Sequence, residues 1–366
     1  MMKYKIMHRD SVIAEANGFE VTEILNPALC PSCFYKGYSL ERWLKSRQIN
    51  LHRVGARMLY KALHMKPTSS IEDVIAISHS VVLTDNWWIQ SEFENLHYFD
   101  LRQYNKNIAD IACTSNLDFS SLPYPIKGYL EFGTTGCFEK TWRLENGVWW
   151  LHKKEDFMEV FREFYAYCFL KALDFPVAEY QILSRVSKCT GEAILSIRTR
   201  DFTNHAEMDF EPFFNQFGEE YNLSFILSKL TDSLAESYVM TLFYDILLFH
   251  RKRDNADVGV LRNRRTGEPV RLAPSFDFNQ ALIGSWLPEI ATYMKETAQT
   301  LLNNEKALEI MKRNAPNRTS IAYAANYAEK CVKQHMADAF NEMFFPWVNN
   351  QVLQMAEFLL SWLEKS

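Results

Sequence analysis

The chain has 366 residues, 48% of them hydrophobic and 14% aromatic, and a formal net charge of −5. That apolar content excludes a disordered chain, and the acidic balance argues against direct nucleic-acid binding, because phosphate backbones demand a cationic excess. The length allows two domains, or one two-lobed domain with an appendage.

The opening segment "KYKIMHRDSVIAEA" (3–16) predicts a β-hairpin turning at Arg9, Asp10 and Ser11. It lacks the apolar core of a signal peptide. Cys30 and Cys33 form a lone C-P-S-C with no second Cys/His pair nearby, so ordinary thiols are expected there rather than a four-ligand zinc site. Seven cysteines at irregular spacing fit reduced thiols and a cytoplasmic location. Leu40 to Met65 carries a helical pattern, and "SSIEDVIAISHSV" (69–81) opens with a serine cap and acidic residues. The Ser-, Pro- and Asn-containing stretch at 112–126 is the expected domain boundary.

"GTTGCFEKTWRLENGVWWLHKK" (133–154) predicts two strands joined at Asn146-Gly147. An amphipathic helix over 155–173 follows, then two strands turning at Thr190-Gly191. From about 220 onward the pattern is mostly helical, interrupted by the 250–283 region. The apolar run "YVMTLFYDILLF" (238–249) is broken by Asp245 and too short to span a bilayer, so no membrane segment is expected.

Phosphoryl transfer from ATP needs a strand lysine for the phosphates, a helix glutamate to hold it, and oxygen ligands for magnesium. Lys153 ends a strand, Glu163 lies on the next helix, and Asp257 and Asp277 flank a hairpin-like segment able to return both carboxylates to one place. Taken singly, each has a plainer reading. Lys153 suits a solvated strand end, Glu163 a surface acid and Asp277 a turn. Their order and spacing together carry the chemistry.

Over residues 130 to 284 the sequence resembles the HipA-like kinases, bacterial serine/threonine protein kinases associated with toxin–antitoxin modules. The resemblance rests on "TTGCFEKTW", "WWLHK", "EFYAYCFLKALDFPVAEY" and above all "GVLRNRRTGEPVRLAPSFDFNQAL". The opening hairpin and "NWWIQSEFENLHYFD" (86–100) are also similar to N-terminal regions of some members. The resemblance implies an α+β, bilobal, protein-kinase-like fold with a β-rich N-lobe (126–215), a mostly helical C-lobe (216–366) and an N-terminal α/β appendage (1–125). It implies ATP and Mg2+ as cofactors, a protein substrate, and an antitoxin-like partner protein through which any DNA contact is indirect.

Carried over by residue, Thr134, Thr135, Gly136 and Cys137 form the loop over the phosphates, with either threonine a hypothetical autophosphorylation site. Lys153 contacts ATP, Glu163 positions Lys153, and Asp277 is the metal aspartate. Members usually read Asp-Arg-His-x-x-Asn-aromatic-Gly where this chain reads "KRDNADVG". With Gly259 aligned, Asp257 replaces the metal-binding asparagine and Lys252 replaces the catalytic aspartate. Three readings follow: Asp254 supplies the carboxylate, Lys252 stabilises phosphate charge in a slow transfer, or the protein is a nucleotide-binding pseudokinase. A partner-binding regulatory module and a small-molecule phosphotransferase are the readings from other classes.

Overall fold

The computed structural model describes residues 2–37, 39–113, 138–186, 193–220, 222–251, 253–282, 288–336 and 340–365. The chain opens with β1 (Lys3–His8), β2 (Ser11–Asn17) and β3 (Glu20–Ile24), then two 3-10 turns, α1 (Leu40–Lys45), α2 (Ala56–Ala62) and α3 (Ile71–Ser78). β4 (Trp87–Ser91), α4 (Tyr98–Leu101), α5 (Lys106–Cys113), β5 (Glu139–Glu145) and β6 (Val148–Lys154) follow. Next come α6 (Phe157–Ala172), β7 (Tyr180–Val186), β8 (Ala193–Arg200), β9 (Met208–Pro212), α7 (Phe213–Phe217), α8 (Leu223–Lys229) and α9 (Asp232–Leu247). β10 (Gly259–Asn263) and β11 (Pro269–Leu272) precede α10 (Pro288–Leu302), α11 (Glu305–Asn314), α12 (Arg318–Met336) and α13 (Phe344–Lys365).

These elements form two units. The first comprises Met1–Glu155, Arg198–Glu211 and Val260–Val270, and the second the remainder. The expected boundary at 112–126 falls inside the first unit's sequence and almost wholly outside the described residues.

In the first unit a sheet runs β3-β2-β1-β4, and the expected hairpin turns at Arg9, whose φ of 53° is left-handed. Strand alternation sends side chains to two faces. Tyr4, Ile6, Trp87 and Ile89 enter one core with Trp43, while Met7 and Trp88 enter another with Trp142 and Trp149 of β5 and β6. Both faces are therefore covered, which is why β4 is apolar at consecutive positions. β5 and β6 pair antiparallel, Glu139 opposite Lys154 and Glu145 opposite Val148. Asn146 (φ 51°) and Gly147 (φ 78°) supply the two positive φ values that a tight hairpin turn needs.

The helical pattern expected across 40–65 resolves into α1 and α2. Between them Asn50 Oδ1 captures the His52 N–H at 2.9 Å, and Gly55 takes φ +80° at the start of α2. That local turn chemistry ends the first helix despite continuing apolar periodicity. α3 has the capping box anticipated from its serine, formed by Ser70 and Asp73.

In the second unit, α6 begins where Glu159 accepts from the Asp156 N–H at 2.9 Å. It packs on α12, and a polar chain through Asn349 of α13 links the two helices. Tyr165 donates to Asn349 Oδ1 at 2.8 Å, and Asn349 Nδ2 donates to Glu329 Oε2 at 2.7 Å. α9 is buried along most of its length and packs against α10, α11 and α13. No helix among the described residues is long and apolar enough to cross a membrane.

Candidate functional site

The 275–277 segment of the second unit is fixed from several sides. Ser275 bridges to Val177 and exchanges backbone hydrogen bonds with Pro176 and Ala178, holding the segment at the entry to β7. The Asp277 N–H donates to the Tyr180 hydroxyl at 2.8 Å, and the Asp277 carbonyl lies 3.2 Å from His250 Nε2. Asp277 itself has φ 58°, a conformation uncommon for a residue with a side chain, and such strain persists only where surrounding contacts enforce it.

Arg253 provides much of that enforcement. Its Nε and Nη2 donate to both carboxylate oxygens of Asp245 at 2.7 Å, and its Nη1 donates to the Phe276 carbonyl at 2.8 Å. The guanidinium also lies over the Phe278 ring, 5.1 Å from its centroid. Burial opposes its charge, but Asp245, followed by Asp257 and Asp277, more than offsets this and holds Arg253 above the usual arginine range. Two of the expected metal carboxylates thus act on the same cation. His250 beside it is pushed below the ordinary histidine value by burial, with Asp245 countering only in part.

Glu163, fully buried on α6, comes to the same place: its ligand oxygen and that of Asp277 lie within 4.8 Å of each other. Two hard carboxylate donors at that separation suit a small divalent cation such as magnesium. Asp257 is half-buried in the turn before β10, and its N–H donates to the Asp254 carbonyl. Asp254 is exposed, with its carboxylate accepting from the Ala256 N–H at 3.1 Å in a local turn.

Lys153 belongs to the first unit, where it is buried on β6 with Nζ 3.7 Å from Glu155 Oε1. Lys140 of β5 stands directly opposite it and is also buried, although the sequence pattern alone had not singled it out. Thr134, Thr135, Gly136, Cys137 and Lys252 lie outside the described residues. Cys30 and Cys33 are buried in the first unit's core, and burial pushes the Cys30 thiol up to about 12.

Asp245, Arg253, His250 and Tyr180 are the site residues that sequence reasoning missed. For Asp245 a signal exists: a lone acid within an apolar run must find a buried partner. Tyr180 has no comparable signal.

No protein-family profile matches the chain, and no curated protein matches it by sequence. Among solved structures, it is similar to a chain of the HipA–HipB toxin–antitoxin complex with operator DNA from Shewanella oneidensis MR-1. The identity is 12%, with 99% of this chain and 98% of that chain covered at a TM-score of 0.54. It is also similar to the proinflammatory kinase CtkA of Helicobacter pylori at 15% identity, covering 62% of this chain and 93% of that one at a TM-score of 0.47. The chain has a HipA-like, kinase-type α+β fold, with sheets toward the N-terminus and helices later.

Proposed function

We propose that the protein is an ATP-dependent kinase of the HipA-like type, transferring the γ-phosphoryl group to a serine or threonine hydroxyl of a protein. The observation that carries this reading is the meeting of Glu163 and Asp277, with Asp277 held in a left-handed conformation by Tyr180, His250 and Arg253. The fold likeness supports it. In this reading Asp277 would hold Mg2+ with Glu163 beside it, Asp257 being the further ligand that the resemblance implies, and the bound ion would neutralise charge on the phosphates. By the resemblance, Lys153 is the residue assigned to the phosphates. Arg253 keeps the 275–277 backbone and Asp257 in register.

Nucleotide binding without transfer is the second reading, and one observation favours it. Lys252 stands where the resemblance expects the catalytic aspartate, and the nearest substitute, Asp254, is exposed and engaged in its own turn. The HipA neighbour is recorded with HipB and operator DNA, which supports an antitoxin-like partner for this chain. A cytoplasmic setting belongs to the same proposal.

The test is thermal melting with and without ATP and magnesium, on wild type and on Asp277→Asn. Asparagine tolerates the left-handed backbone, so the variant removes charge without adding strain. A ligand at 100 times its Kd stabilises the native state by about 2.7 kcal/mol. Wild type is expected to melt higher with ATP-magnesium, and Asp277→Asn to shift little. No shift in wild type at millimolar ATP refutes nucleotide binding. Labelled-phosphate transfer by wild type and Lys252→Asp then separates the two readings: label transferred by wild type supports the kinase, and label transferred only by the variant supports the pseudokinase.

A further inference from the structure

Cys168 and Cys331 form a pair that the phosphoryl-transfer chemistry does not use. Cys168 is buried on α6 and Cys331 half-buried on α12, both as free thiols within the second unit. The two helices run antiparallel in a register fixed on either side of the pair. One turn before Cys168, the Phe164 ring meets His335 at 5.3 Å between centroids, edge to face, and His335 lies one turn after Cys331. On the other side, Lys171 is raised chiefly by Tyr167 and to a smaller degree by Tyr327, which lies one turn before Cys331. The helical repeat then places Cys168 opposite Cys331. Buried Ala324, Ala325 and Ala328 line the adjoining stretch of α12, and small side chains allow close approach of two helix backbones.

The contacts at the sulfurs agree with that register. Cys331 raises the Tyr327 hydroxyl above its ordinary range. Burial pushes the Cys168 thiol up, with Cys331 adding to the shift, so Cys168 remains protonated. Cys331 is half-buried where Cys168 is buried, so it is the sulfur an oxidant reaches first.

We propose that Cys168 and Cys331 are a peroxide-oxidised dithiol whose disulfide ties α6 to α12. In the first step the Cys331 thiol gives up its proton as its sulfur attacks one peroxide oxygen. An S–O bond forms, the O–O bond breaks, and the departing hydroxide takes a proton to become water. In the second step Cys168 sulfur attacks the Cys331 sulfenic sulfur. The S–S bond forms, the S–O bond breaks, and the Cys168 proton leaves with the hydroxide as a second water. Two thiols and one peroxide thus give one disulfide and two waters. α6 also carries Glu163, so the bond fixes the helix that supplies one of the site's carboxylates.

The experiment treats the full-length protein with a small molar excess of hydrogen peroxide and maps peptides without reduction. The expected product is a cross-linked peptide pair joining Cys168 to Cys331, two hydrogen atoms lighter than the separate thiols and restored by dithiothreitol. Cys331→Ser is expected to leave Cys168 as a thiol under the same treatment. Cys168→Ser is expected to leave Cys331 as a sulfenic acid, trapped by dimedone. Melting of oxidised wild type should rise above that of the reduced protein and return after reduction, whether or not the protein binds nucleotide. Overoxidation of Cys331 to sulfinic acid in wild type with Cys168 still a thiol overturns the proposal. Recovery of both cysteines unmodified while a probe thiol in the same tube is consumed overturns it as well.

Discussion

Replacing Asp245 by alanine isolates the ion pair that holds the 253–258 turn. Asp245 and Arg253 are 5% and 8% exposed, and the carboxylate receives both of its hydrogen bonds from one guanidinium. Removing one partner of a buried pair leaves an uncompensated charge and costs about 3–5 kcal/mol. Arg253 keeps one backbone acceptor at short range, Phe276 O, so it cannot swing to solvent without releasing the Asp277 segment. The expected loss is therefore in the upper part of that range, a large fraction of a typical domain stability of about 5–15 kcal/mol. Urea unfolding followed by far-UV circular dichroism measures it. The paired change Asp245→Leu with Arg253→Met removes both charges at similar volume and is expected to cost less than about 1.5 kcal/mol. A single-variant loss below about 1 kcal/mol would show the pair to be solvated, and the account of Asp277's anchoring would fail with it.

Acid sensitivity follows from His250 and His152. Burial lowers both, His152 to about 4, so the native imidazoles stay neutral where unfolded ones gain protons. The unfolded state then binds more protons, and stability falls as pH drops below about 6.5, by up to ~1.4 kcal/mol per pH unit and group, until the native value is reached. Melting points from about pH 7 to pH 5 should fall less steeply in His250→Asn than in wild type, and an unchanged slope would contradict the assignment. Ser70→Ala removes the side chain that accepts from the Asp73 N–H and should cost about 1 kcal/mol in urea unfolding. Gly267→Ala should be far worse than Gly147→Ala. Both have φ near the left-handed region, but a Cβ at 267 would meet the Ala28 carbonyl oxygen at 1.7 Å, while at 147 it meets open space. The second variant carries only the conformational penalty of about 1–2 kcal/mol, and equal melting points for the two would refute the clash.

Local features were legible where residue chemistry dictates them. Asn146-Gly147 fixes its own turn, Ser70 with Asp73 starts α3, and the aromatic stripe of α6 is a helix signal at any tertiary context. The break between α1 and α2 was not, because Asn50 and Gly55 act against a continuing apolar period. At the site, the resemblance drew attention to Glu163 and Asp277, and the structure brings them together. The surrounding polar partners were hidden for a simple reason. Arg253 and Asp245 sit on a turn and a helix with no shared periodicity, and Tyr180 reaches Asp277 through a backbone contact that places no constraint on neighbouring residue types.

The first unit draws on three stretches of chain, and the later two supply its buried polar partners. Asp209 receives His8 and Asn86, and Glu211 receives Ser32 and Arg262, whose guanidinium in turn donates to the Cys30 carbonyl. A ribosome releasing this chain therefore leaves the opening sheet, complete at Ser91, without its polar partners until residues 209 to 262 have been made. Contacts so distant in sequence slow folding, because loop-closure entropy is lost before they form. A fragment ending near residue 155 would retain the hairpin and lose its acids, so autonomous folding of the N-terminal segment is the behaviour this topology disfavours most.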